Sequence, residues 1–141
     1  MIWSAKMTPT GQLKMTVPIY YGVRKKYMLG LNWLQDAHYR ARNLVKQQFT
    51  DNIGKVLPKD CRLDSPIETH YKVYYKNKKS DAGNIVAVTE KFLMDALQVH
   101  NVIQEDNVQH YLKSTWVVME QDRDNPRVEV TIKCNKTSNN G

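Results

Sequence analysis

The chain places Ser80-Asp81-Ala82-Gly83-Asn84 directly behind a lysine-rich stretch, then Lys91 and Asp95, then the pair Glu105-Asp106. These are residue types that hold a divalent cation beside a phosphate. Carboxylate oxygens suit Mg²⁺, which retains several waters and so needs few protein ligands. Two such ions about 3.5–4 Å apart activate a water and stabilise the leaving oxygen in an in-line displacement at phosphorus. A nearby ammonium offsets charge that grows on the phosphoryl oxygens. The carboxylates lie in a chain of formal net charge +7 and pI about 9.4, and a positive surface attracts polyanions.

The elements that must position these groups follow from periodicity. A helix over 84–98 turns about 100° per residue, so Ile85, Val86, Thr89, Phe92, Leu93, Ala96 and Leu97 share one broad apolar face. Asn84, Lys91 and Asp95 fall within about 40° of one another on the opposite side, and Asp81 enters that ridge from the preceding loop. Two readings stand side by side. The ridge lines a site, or Asp81 or Ser80 caps the helix while Lys91 and Asp95 form a surface pair worth a few tenths of a kcal/mol.

Upstream, Lys72, Lys76, Lys78 and Lys79 alternate with Tyr71, Tyr74 and Tyr75. Lysines neutralise phosphates and tyrosines stack on unpaired bases, although a half-buried strand with solvated outward lysines has the same pattern. Arg24, Lys25 and Lys26 add a basic loop after the first strand.

Leu13, Met15, Val17 and Ile19 alternate with polar residues and predict a strand that Pro18 ends or places at an edge. Residues 1–11 read as an extension. Asn32 with Gln35 predicts a capped helix, with Leu34, Ala37, Ala41, Leu44, Val45 and Phe49 inward, ending near Asp51 to Gly54. Ile67–Lys76 reads as a strand, as do Val108–Glu120 and Arg127–Lys133, and Asn135–Gly141 as a polar tail. The order β-α-β-α-β-β predicts an α/β (α+β) fold: one domain, a mixed sheet with two helices packed on it.

Several classes are excluded by what the chain lacks. No apolar run approaches the roughly 20 residues that span a bilayer. No secretory leader is visible, so a cytoplasmic protein is expected. Cys61 and Cys134 lie far apart and in no metal-ligand spacing, and His38, His70, His100 and His110 show none either. There is no Gly-rich phosphate loop and no nucleotide cofactor is expected. Trp33 and Trp116 read as core or interface residues.

The order of motifs resembles the RusA family of Holliday-junction resolvases, endonucleases of phages and prophages. The matching pieces are Lys78-Lys79-Ser80-Asp81-Ala82-Gly83-Asn84, Lys91, Asp95-Ala96-Leu97 and Glu105-Asp106, with Leu31-Asn32-Trp33 through His38-Tyr39 similar to the start of the first helix in phage members. The resemblance covers roughly Leu13 to Lys133. It implies a RusA-like fold and a homodimer that binds branched DNA in the bacterial cytoplasm and nicks opposed strands with Mg²⁺, for which Mn²⁺ substitutes. Asp81 and Asp106 then match metal ligands, Lys91 the assisting lysine, Asn84 the motif asparagine and Glu105 the first member of the acidic pair.

Two departures stand out. The second Asp of the family's D-x-D-N is Gly83 here, and the helix from Asn84 to Asp95 is about one turn longer than usual. Asp95 or Glu105 replaces the lost ligand, or the protein binds DNA without cutting it, in a regulatory or inhibitory role.

Overall fold

The computed structural model describes residues 3–21, 27–30, 33, 35, 37–64, 66–103 and 111–134. In chain order its elements are β1 (Ser4–Met7), β2 (Leu13–Pro18), β3 (Tyr20–Tyr21), β4 (Tyr27–Met28), α1 (Tyr39–Val56), β5 (Ile67–Tyr74), a 3-10 turn (Lys79–Asp81), α2 (Ala82–Val99), β6 (Tyr111–Val118) and β7 (Arg127–Cys134). The main sheet has the order β1-β2-β7-β5-β6, and β3 pairs with β4 separately. All neighbours in the main sheet run antiparallel except β5 and β6, which are parallel. A parallel pair needs a crossover, and α2 supplies it. The α+β class with a mixed sheet and two helices therefore holds.

Side chains alternate across a strand, and here the alternation divides the sheet into a dry face and an open one. Leu13, Met15 and Val17 of β2, Val128, Val130 and Ile132 of β7, and Ile67, Thr69, Tyr71 and Val73 of β5 are buried. The helices cover that face. From α1 come Val45, Phe49, Thr50 and Ile53. From α2 come ten buried residues, including the seven expected from its periodicity. Phe49 meets Phe92 edge-on at 5.9 Å and Trp3 at 5.1 Å, so the aromatic centre joins both helices to the segment before β1. The opposite face carries Lys6, Lys14, Thr16, Lys72, Glu129, Thr131 and Lys133, as expected of an antiparallel sheet with one face in water.

Three expectations need correction. The first eleven residues are not a mere extension: β1 pairs with β2 from Ser4↔Thr16 to Met7↔Leu13. The helix predicted from Asn32 is interrupted. Trp33 and Gln35 have helical backbone, and Ala37 N donates to Trp33 O at 2.8 Å, but His38 then turns extended. His38 Nδ1 accepts from Arg40 N at 3.2 Å, so α1 begins afresh with its own cap. Asn32 lies outside the described residues. Leu44, expected inward, is 58% exposed, because the buried stripe of α1 runs through Val45, Phe49 and Ile53. Pro18 does end β2: β1 pairs no further than Thr16, so the proline faces no strand on that side.

Candidate nucleic-acid and metal site

Asp81 closes the 3-10 turn and immediately precedes α2. The turn follows β5 within a few residues, so Asp81 stands beyond the C-terminal end of a strand that belongs to a parallel β-α-β unit. That is where open α/β sheets leave a crevice for ligands. The carboxylate is half-buried and makes no capping hydrogen bond to the helix. Its acceptor capacity is unspent on the backbone, so the capping role considered for Asp81 is not the one it takes. The positive end of the α2 dipole also favours a negative charge here.

The surroundings of Asp81 are basic and aromatic. Lys76, Lys78 and Lys79 are exposed on the connecting segment. Lys76 Nζ stands 5.2 Å from the centre of the Tyr20 ring, a cation–π geometry. Partial burial pushes the Tyr20 phenol up, and the charge of Asp81 pushes it further, which places Asp81 within electrostatic reach of Tyr20. Asn84 sits one turn into the helix, half-buried, beside Gly30, where an added Cβ would lie 3.9 Å from the Asn84 Cβ. Gly83 faces Trp116 of β6, whose ring would be 3.4 Å from a Cβ at position 83. Trp116 is 48% exposed, so it is not a core residue, and its ring lies against the helix position two residues after Asp81.

The other candidates separate. Lys91 is exposed on the same side of α2 as Asn84 and has no ion pair among the described residues. Ten residues of helix put it about 15 Å along the axis from Asp81. Asp95 pairs with Lys46 of α1 at 3.3 Å instead of with Lys91. Its fourteen-residue distance from Asp81 amounts to about 21 Å, so these two carboxylates do not share one ion. Lys72 points from β5 to the open face of the sheet, next to Lys14, and not toward Asp81. Glu105, Asp106, Arg24, Lys25 and Lys26 lie outside the described residues. Among the described residues no group of three His, Cys, Asp or Glu side chains converges on one point.

Two tyrosines considered for base stacking are committed elsewhere. The Arg127 guanidinium sits 3.9 Å over the Tyr74 ring. Tyr71 is buried and donates to Glu90 Oε2 at 2.9 Å.

Glu90 is the residue that carried no signal in the sequence. Its Oε2 also accepts from Thr69 Oγ1 at 3.1 Å and Ser114 Oγ at 2.7 Å. One carboxylate oxygen in mid-helix thus ties α2 to both parallel strands, β5 and β6. A glutamate on an otherwise apolar stretch of helix, opposite a Thr-x-Tyr strand, is the only trace of this in the chain.

No family model matches the chain, and no curated protein matches it either. Among the described residues no helix is long and apolar enough to cross a membrane.

Proposed function

We propose that this protein is a metal-dependent endonuclease of the RusA type that cuts branched DNA as a homodimer. The observation that carries the reading is the placement of Asp81: a carboxylate without a capping role, at a helix N-terminus beyond the end of β5, next to Lys76, Lys78 and Lys79. Lysines in that position neutralise phosphates and draw the backbone of a nucleic acid to the carboxylate. The donor chemistry fits Mg²⁺, which is held by one or two carboxylates together with substrate phosphates. Asp81 would hold it, with Glu105 and Asp106 as the further candidates, and the ion would supply Lewis-acid stabilisation of charge on the phosphoryl group. Asn84, one turn on along α2, orients the phosphate by its amide. Lys91 is too far along α2 to touch the atoms around Asp81 and is better placed to contact the flanking backbone.

The test is Asp81→Asn assayed on a synthetic four-way junction in Mg²⁺ and in Mn²⁺. Cutting should drop by at least about a hundredfold, the scale set by removal of one well-placed charged group from a reacting centre, while binding persists. Undiminished cutting removes Asp81 from the mechanism. Sedimentation at micromolar concentration tests the dimer, and a monomer under all conditions opposes it.

Gly83 favours a second reading, a DNA-binding protein of the same fold that does not cut. The position where the family carries a second carboxylate is here a glycine against the Trp116 ring. Salt-sensitive junction binding with no cleavage in either metal selects that reading.

A further inference from the structure

The open face of the sheet carries a trough of about 430 Å³ whose lining includes Lys6, Lys14 and Lys72 with one carboxylate residue, Glu129. It lies on the side of the sheet away from both helices. We propose that this trough binds the phosphate backbone of a nucleic-acid duplex as a surface separate from the Asp81 crevice. The proposal rests on the nucleic-acid reading above and adds a second point of contact to it.

Lys6 and Lys14 are direct cross-strand partners in the β1–β2 ladder. Like charges opposite one another on one face destabilise a sheet. None of Lys6, Lys14 or Lys72 has an ion-pair partner among the described residues. Glu129, the carboxylate in the trough, already accepts from Arg127 Nε at 2.9 Å. A bland explanation covers one of the three: Lys6 is on the edge strand β1, where a lysine discourages pairing with other chains. Lys14 and Lys72 are on interior strands and need no such guard. Lys72 faces Glu129 across the ladder, but Lys6 and Lys14 face each other with no acidic partner among the described residues, and like charges so placed mark a spot that an anion completes.

Spacing accommodates a polyanion. Lys14 stands opposite Thr131 and Lys72 opposite Glu129, so they are separated by β7 and by two residues along it. Strand spacings of about 4.8 Å and rises of about 3.4 Å per residue place them about 12 Å apart. That is a backbone separation, and the long lysine stems let the ammonium groups of Lys6, Lys14 and Lys72 spread along neighbouring phosphates of a strand. β5 also links the two surfaces, with Lys72 in the trough and Lys76 just past its end at the crevice. A DNA arm leaving the crevice can therefore run along this face.

The experiment titrates the full chain with a fluorescent 20-base-pair duplex in EDTA over a range of salt, comparing the wild type with K6Q/K14Q/K72Q. Each lost phosphate contact lowers the log–log salt slope by about 0.9, so the variant should lose about 2–3 units of slope and more than tenfold in affinity at low salt. Its melting temperature should not fall, since the substitutions relieve repulsion. An unchanged slope and affinity overturn the proposal, and so does wild-type binding to phosphatidylserine vesicles in preference to the duplex. Because EDTA removes any metal-dependent step, the outcome is independent of cleavage. An inactive wild type with a functioning trough defeats only the nuclease reading, and an active enzyme with an unchanged triple variant defeats only the trough.

Discussion

Replacing Glu90 with Ala tests whether α2 is anchored to the parallel strands as the geometry indicates. Three hydroxyls converge on Glu90 Oε2, from Thr69, Tyr71 and Ser114. Their losses are unequal. Thr69 is fully buried, and a buried hydroxyl stripped of its acceptor costs about 1–3 kcal/mol. Tyr71 is also buried, and the loss of its hydrogen bond adds about 1 kcal/mol. Ser114 is exposed and turns to water at almost no cost. Alanine returns a few tenths through helix propensity. The net destabilisation is about 2–3 kcal/mol, a fall in melting temperature of about 6–10 °C for a chain of this size. Glu90→Gln retains one carbonyl acceptor and should lose only about 1 kcal/mol. Urea unfolding of both variants, with Tyr71→Phe alone and combined with Glu90→Ala, measures the coupling, expected at about 1 kcal/mol. If Glu90→Ala unfolds within about 0.5 kcal/mol of the wild type, the three hydrogen bonds do not anchor the helix and this reasoning fails.

Other outcomes follow from single features. The Thr89 hydroxyl is buried in α2 with no hydrogen-bond partner among the described residues, so Thr89→Val, which keeps the shape, should stabilise the protein by about 1–2 kcal/mol in urea unfolding. Gly54 of α1 lies under the His100 ring: an added Cβ would stand 2.5 Å from His100 Cε1, while His100 Nε2 bonds Thr50 O at 2.9 Å. Gly54→Ala should therefore destabilise by about 1 kcal/mol or more, yet in a His100→Ala background the same change should stabilise by up to about 1 kcal/mol, and the absence of that sign reversal in thermal melts refutes the contact. Arg127 Nη1 donates to Asp122 at 2.8 Å and holds its carboxyl below the usual carboxylate value of 3.8. The pair thus adds stability above that value, and the contribution disappears as pH falls through the lowered pKa. Titration by NMR should find the Asp122 pKa moved upward in Arg127→Gln, and an unmoved titration contradicts the pairing.

Much of the scaffold was legible because it depends on local periods. The alternation of Leu13, Met15 and Val17 and the seven apolar positions of α2 were readable, and all ten are buried. Val88 and Met94 were not expected inward, because α2 is covered by α1 as well as by the sheet, a broader contact than one amphipathic stripe. The same period of two, applied to β5, separates Lys72 from Tyr71 and Val73, and the half-buried strand with an outward lysine at 72 is what the structure has. β1 is four residues, too short for its Ser4-Ala5-Lys6-Met7 alternation to be decisive, and exists through its partner.

The candidate site divides in the same way. Asp81 at the start of a helix, Lys78 and Lys79 before it and Asn84 one turn on are neighbours in sequence, and backbone geometry alone brings them together. Asp95 and Lys91 share a helix side with Asn84, but rise along the axis carries them away from Asp81, and a partner from α1 takes Asp95. Trp116 reaches Gly83, and Glu90 reaches Thr69, Tyr71 and Ser114, only because α2 crosses between parallel strands.

Charge sign, hydrophobic period and the contents of a single turn are properties of a few adjacent residues, and the amino-acid chain determined those by itself. Which carboxylate stays unpaired, which lysines gather on the open face and which hydroxyls find an acceptor depend on groups far apart in the chain whose distances exist only after packing. Those were decided by the tertiary structure, because Coulomb forces and hydrogen bonds act across ångströms of space without regard to sequence separation.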